Sequence, residues 1–292
     1  MKAFRWLLRR EFWENRAIWC VPAAIACVLV LAALFGRVDV ELGAFGPQSR
    51  GGGLLLFAFG IVFVLVMSIY TSWYLLDCLH AERKDRSILF WKSLPVSDAA
   101  SVLSKLATAL LVIPLVYFAA TDMTTLLMAF ILSIRAGSRL GNSLWRPDTW
   151  LQLQAFWLYL IATIAIWFLP VAGWLMLVSA WAKRAVMLWS ILPPLALIWA
   201  ERMFLGSRVL ADWLSSRLFI GYVSTAFHGY PASNRMAAAI ARDESFAAPA
   251  SVWHLMNPLG FLASSATWIG AALGIALVVA AIQVRSRSTE IQ

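Results

Sequence analysis

Charge is scarce in this chain. Only 13% of its 292 residues are Asp, Glu, Lys or Arg, about half the share usual in a soluble domain. Cysteine and histidine number three each. Cys20 and Cys27 share one apolar run and Cys78 follows another. No disulfide framework or metal-ligand spacing results, and the thiols read as small buried hydrophobes. His80, His228 and His254 fall in separate segments and assemble no metal set. The chain has no Walker A pattern, no HExxH and no GxSxG, so it carries no P-loop, zinc-protease or nucleophile-elbow chemistry of its own. Paired carboxylates of the proton-relay kind are missing from its apolar runs. No catalytic residue and no metal site is assigned.

Apolar side chains, by contrast, make up 62% of the residues, with 16 Trp among them, and the mean hydropathy is +0.77. A water-soluble fold of this composition would expose large apolar patches. Lipid removes that conflict, and only helices or closed barrels satisfy the backbone inside it. The apolar runs are long and unbroken, which favours helices. Tryptophan suits the headgroup level. The net charge of +9 has no nucleic-acid motif beside it. It reads as topology-setting Lys and Arg facing an anionic inner leaflet.

The reading is an all-α polytopic protein with six transmembrane helices and both termini cytoplasmic. Residues 1–16 place Lys2, Arg5, Arg9 and Arg16 on one helical stripe, with Trp6 and Trp13 flanking it. They predict an amphipathic helix in the inner interface. The transmembrane domain covers 17–284, and 285–292 is a cytoplasmic tail. Spans are expected at 17–35, 54–76, 102–134, 150–181, 185–205 and from Pro258 or Ser264 to 284. Two of these runs, 102–134 and 150–181, exceed the roughly 20 residues needed to cross, and the first is read as one long helix, kinked at Pro114 or projecting beyond the bilayer. Pro170 and Gly173 lie inside the second of them; Pro193-Pro194 should break or bend the fifth span. Segment 77–98 and the turn at Lys183-Arg184 lie inside, and 206–257 lies outside.

Asp122 is the one ionisable residue deep within a run. Two readings stand for it: an outer-leaflet structural role and a place in a substrate pathway. Glu201 and Arg202 read as the interfacial end of the fifth span. Residues 82–95 are the most informative stretch. Mixed charge (Glu82, Arg83, Lys84, Asp85, Arg86) runs into Ile88, Leu89, Phe90 and Trp91, and Leu94-Pro95 ends it. Such a cluster suits docking on a partner protein or lying at the headgroups.

The string ERKDRSILFWKSLPVSD, residues 82–98, resembles the cytoplasmic loop between the second and third spans of ABC-2 type transporter permeases. The likeness extends over the interfacial N-terminal helix, the six-span layout and the long outer segment before the last span. The resemblance implies a permease subunit, functioning as an exporter in a bacterial cytoplasmic (inner) membrane. It would pair with itself or a related permease chain and with a separate ABC ATPase subunit that binds ATP and Mg. The permease itself would need no cofactor. Its segment 77–98 would form a coupling helix. Glu82, Arg83, Asp85 and Arg86 would make polar contacts to the ATPase, and Ile88, Phe90, Trp91 and Leu94 would wedge into its cleft or anchor at the membrane. Arg5, Arg9 and Trp13 would belong to a connecting helix. Residues 253–262, with Asn257-Pro258, would dip into the outer leaflet. Membrane lipids are expected partners and nucleic acid is not. A secondary transporter or a membrane-embedded enzyme without an ATPase is the competing class.

Overall fold

The computed structural model describes residues 2–36, 51–85, 97–136, 144–228, 253 and 255–287. Six helices among them are long and apolar enough to cross a membrane: Ala17–Phe35, Leu56–Lys84, Asp98–Arg135, Pro147–Trp167, Val186–Leu205 and Ser265–Arg287. These are called the first to sixth spans. A shorter apolar helix, Leu169–Trp181, continues the fourth. The chain is a multi-pass helical membrane protein, as its composition requires.

Contacts between sequence-distant residues fix how the spans are threaded. Glu11 on the N-terminal helix (Lys2–Glu14) meets Lys105 near the start of the third span. Glu82, at the end of the second, meets Arg285 at the end of the sixth. Arg83 reaches Ala182, just past the end of Leu169–Trp181. Both ends of the described chain therefore lie on one side of the bundle. At the opposite end, a second apolar core joins Leu56, Leu132, Phe156, Tyr222 and Phe261.

The long runs cross once each, with local breaks. Pro114 lacks the N–H that an α-helix needs one turn back. Ahead of it, Thr108–Val112 widens into a π-helical turn, and the Ile113 N–H reaches the Thr108 carbonyl. The fourth span is followed through a turn at Phe168, two residues before Pro170, by helix Leu169–Trp181. Bonds from Phe168 N–H to Ile164 O (2.8 Å) and from Ala172 N–H to Phe168 O (2.9 Å) hold the two helices end to end.

Of the break or bend expected at Pro193-Pro194, no break is present: helix Val186–Ala200 runs through both. Pro194 leaves the Ser190 carbonyl without its usual donor. Trp174 Nε1 supplies that donor at 2.9 Å from the neighbouring helix. The cysteines are also corrected, since only Cys78 is buried. Cys20 and Cys27 are on exposed positions of the first span, where lipid is the solvent.

The sixth span packs on Leu169–Trp181 through glycine. A Cβ on Gly173 would come within 2.7 Å of the Gly274 carbonyl oxygen, and one on Gly274 within 2.6 Å of the Leu169 carbonyl carbon. Backbones approach that closely only where side chains are absent, the usual device for packing helices without a hydrophobic driving force.

Candidate functional site: a buried ion cluster where four segments meet

The N-terminal helix buries one face and exposes the other. Leu7 and Glu11 are buried, while Arg5, Trp6, Arg9 and Trp13 are exposed. The Arg9 guanidinium lies 5.5 Å from the centre of the Trp6 ring. Glu11 is the acid of the buried face, 3% exposed. One of its carboxylate oxygens pairs with Lys105 Nζ at 2.7 Å; the other accepts from the Tyr74 hydroxyl at 2.8 Å.

Glu82 continues the cluster. Its Oε1 lies 3.1 Å from Lys105 Nζ, and its Oε2 pairs with Arg285 Nη1 at 2.7 Å. Arg285 Nε in turn reaches Asp98 Oδ1 at 3.1 Å. Arg10 Nη1 approaches Glu82 at 4.0 Å. The buried acids Glu11 and Glu82 thus face the buried bases Lys105 and Arg285, so the buried charge balances. Arg10 and Asp98 are half-buried at the rim, and Arg10 pairs more closely with Glu14, at 2.8 Å. Ions taken out of water cost several kcal/mol each unless every partner is in place. The arrangement therefore ties the N-terminal helix and the second, third and sixth spans to one another at a single point.

Beside the cluster is a reciprocal cap. The second span breaks at Cys78–Leu79, which frees backbone N–H groups. The Ser179 hydroxyl accepts from Leu79 N–H and His80 N–H, each at 3.1 Å. In return Arg83 donates to the carbonyls of Ser179 and Ala182, the latter at 2.8 Å. These are end-carbonyls of helix Leu169–Trp181, where a cation is also favoured by the helix dipole.

Each residue singled out from sequence can now be placed. Glu82 and Arg83 are engaged within the chain itself, Glu82 in the cluster and Arg83 as a helix cap. Asp85 is exposed. Arg86, Ile88, Phe90, Trp91 and Leu94 lie outside the described residues. Asp122 accepts a hydrogen bond from Gln154 Nε2 at 2.7 Å, which clips the third span to the fourth. Glu201 caps the next helix: its carboxylate accepts from Leu210 N–H at 3.0 Å and from the Ser207 hydroxyl at 2.6 Å. Among the described residues no group of three His, Cys, Asp or Glu is placed to hold a metal.

Sequence reasoning did not single out Glu11, Asp98, Lys105, Arg285, Tyr74 or Ser179. One signal was available for Glu11: it is the acid on the face opposite the Arg5, Arg9, Arg16 stripe. Lys105 and Arg285 look like ordinary topology charges, because nothing in a linear sequence shows that two span ends converge.

Among the described residues of segment 206–257 is a buried cation. Arg217 is 3% exposed. Its guanidinium lies 4.4 Å from the centre of the Trp167 ring and 5.6 Å from that of Trp213, and it donates to the Ala266 carbonyl. Burial lowers its pKa from the ordinary arginine value, yet arginine stays protonated in proteins. Residues 227–228 and 255–257 pair locally, with His228 N–H on Leu255 O at 2.7 Å and Asn257 N–H on Ala226 O at 2.9 Å. The Asn257 side chain then caps helix Pro258–Ala263.

The fold and this site define a class: a six-span helical membrane protein whose N-terminal helix is locked to its span ends by buried ion pairs. Comparison with known proteins adds no relative, since no protein-family model, no curated protein and no solved structure matches the chain.

Proposed function

We propose that this chain is the permease subunit of an ABC transporter of the ABC-2 type, an exporter in a bacterial inner membrane. It forms the substrate pathway with a second permease copy or a related chain. A separate ATPase subunit binds ATP and Mg and drives it. The observation that carries this reading is the ion cluster. A motor that grips segment 86–96 from the cytoplasm pushes on the ends of the second and third spans. Glu82, Lys105 and Arg285 pass that displacement to the N-terminal helix and the sixth span as one unit.

A ligand-driven switch needs two arrangements and a partner that favours one of them. Balanced buried ion pairs resist partial opening, because a lone buried charge is costly. They therefore favour whole-unit movement over local yielding. Docking contacts on this reading come from Asp85, Arg86 and the apolar residues Ile88, Phe90, Trp91 and Leu94. Arg83 and Glu82 hold the platform they stand on. The exposed Arg5, Arg9 and Trp13 face the ATPase or the headgroups.

Co-purification tests the assignment. The tagged chain, expressed with an adjacent ATPase gene product, brings that ATPase down. Asp85→Arg with Arg86→Glu weakens the complex while the permease keeps its thermal midpoint. A complex of undiminished yield and ATPase activity after that double reversal would defeat the docking assignment.

A further inference from the structure

The ion cluster uses one face of helix Lys2–Glu14 and leaves another open. On the open face Arg5 and Arg9 are one turn apart, about 6 Å along the axis at 1.5 Å per residue. Arg16 stands between this helix and the first span, and all three arginines are exposed. Trp6 and Trp13, two turns apart, form a second stripe beside them, 66% and 62% exposed. The Arg9 guanidinium, 5.5 Å from the centre of the Trp6 ring, joins the two stripes. The exposed acid of this helix, Glu14, is taken by Arg10 at 2.8 Å. Among the described residues no acid lies within ion-pair distance of Arg5, Arg9 or Arg16.

Position narrows what this face meets. Arg16 immediately precedes the span Ala17–Phe35, which sets it at the membrane boundary. Five residues earlier, Glu11 is bound to Lys105 and Tyr74 at the ends of the third and second spans. Asn15 closes the helix between these two points, its backbone and side-chain N–H groups both donating to the Glu11 carbonyl at 3.1 Å. A helix tied to the boundary twice lies along it.

The chemistry of the face names the occupant. Indole rings suit the headgroup level, with an apolar body and a polar N–H. Guanidinium forks match phosphate oxygens and contact them in pairs. A zwitterionic headgroup brings a cation with each phosphate, whereas an anionic one leaves its charge for the protein. An acidic protein surface also matches arginine, yet the two indoles and the adjoining span place this face where headgroups already are. We propose that Arg5, Arg9 and Arg16, with Trp6 and Trp13, bind anionic phospholipid of the adjacent leaflet through its phosphate. Glu11 on the buried face holds the helix still, so the arginines are presented in position and little ordering is lost on binding. The site belongs to the chain alone and stands whether or not an ATPase couples to it.

The test uses the full chain in detergent, with phosphatidylglycerol or phosphatidylcholine titrated in and bound lipids counted by native mass spectrometry. Phosphatidylglycerol is expected to stay bound where phosphatidylcholine does not, and to leave as salt rises, since exposed charges are screened. An arginine near a charged leaflet is worth about fivefold in affinity. Arg9→Gln should therefore weaken the tightest-held phosphatidylglycerol about fivefold. Arg5→Gln, Arg9→Gln and Arg16→Gln together should weaken it on the order of a hundredfold. All three side chains are exposed, so the thermal midpoint without added lipid should not move; Arg9→Gln alone decides the matter if the triple variant does not fold. Equal retention of phosphatidylcholine, or phosphatidylglycerol affinity unchanged by these substitutions, overturns the proposal. So does a triple variant that loses an ATPase in co-purification while binding phosphatidylglycerol undiminished, which gives the face to a protein partner. Failure of the unaltered chain to bring down an ATPase bears on the permease reading alone.

Discussion

Lys105 illustrates how a single side chain carries a joint. It is 4% exposed and lies between two carboxylates, Glu11 and Glu82. Lys105→Met strands Glu11 in a buried place and leaves Glu82 to Arg285, and removing one partner of a buried ion pair costs about 3–5 kcal/mol. Thermal or denaturant unfolding in detergent should show that loss. The double change Glu11→Gln and Lys105→Met should cost less than the single one, since it leaves Glu82 paired with Arg285 and no net buried charge. Arg146 and Asp148 form the contrast: their pair, 2.9 Å apart, is about half exposed. Arg146→Gln should therefore cost no more than about 1 kcal/mol. Ala185 offers an improvement. It is the one non-glycine residue with positive φ among those described, at 51°, a region that costs an L-residue about 1–2 kcal/mol. Ala185→Gly should raise stability by up to about 1 kcal/mol, after glycine's own entropy cost, and the same unfolding measurement checks it.

At the scale of helices, glycine and proline decide how elements meet. Gly274 and Gly270 lie one turn apart on the sixth span and differ in what a methyl group would strike. On Gly274 it meets the Leu169–Pro170 backbone, which cannot step aside. On Gly270 it meets the end of the Arg217 side chain, which can. Gly274→Ala should cost about 2–3 kcal/mol as overpacking, and Gly270→Ala should cost less. Differential scanning of the two purified variants orders them. The prolines show how much of an element is legible in sequence. Their positions announce irregular helix, and Thr108–Val112 and Phe168 obey. Pro193-Pro194 interrupts no helix, and Trp174 from another helix supplies a hydrogen bond that the local sequence lacks.

At the scale of the whole molecule, the threading makes a two-sided prediction. The cluster residues share one side with Lys183 and Arg184; Asp148 and Asp212 belong to the other. In a cysteine-free background, cysteine placed at 184 should react with an impermeant maleimide only after cells are opened. Cysteine at 148 or 212 should react in intact cells. The reverse pattern would place segment 86–96 outside, where no nucleotide-driven partner reaches it. The fifth span stands apart within this whole. Only Ser190 is buried along Val186–Ala200, so within one chain that helix has its face on lipid or on another copy.

Composition and the spacing of apolar runs alone determined that this is a six-span helical membrane protein with an amphipathic helix in front. Burying twenty apolar residues in a row is a local property, readable from consecutive letters. The junction was not readable in that way. Glu11, Glu82, Lys105 and Arg285 are scattered along nearly the whole length of the chain, and each alone resembles a charge at a helix end. Only the packing of four segments, which brings their charged atoms to 2.7–3.1 Å from one another and away from water, turns ordinary charges into a shared lock.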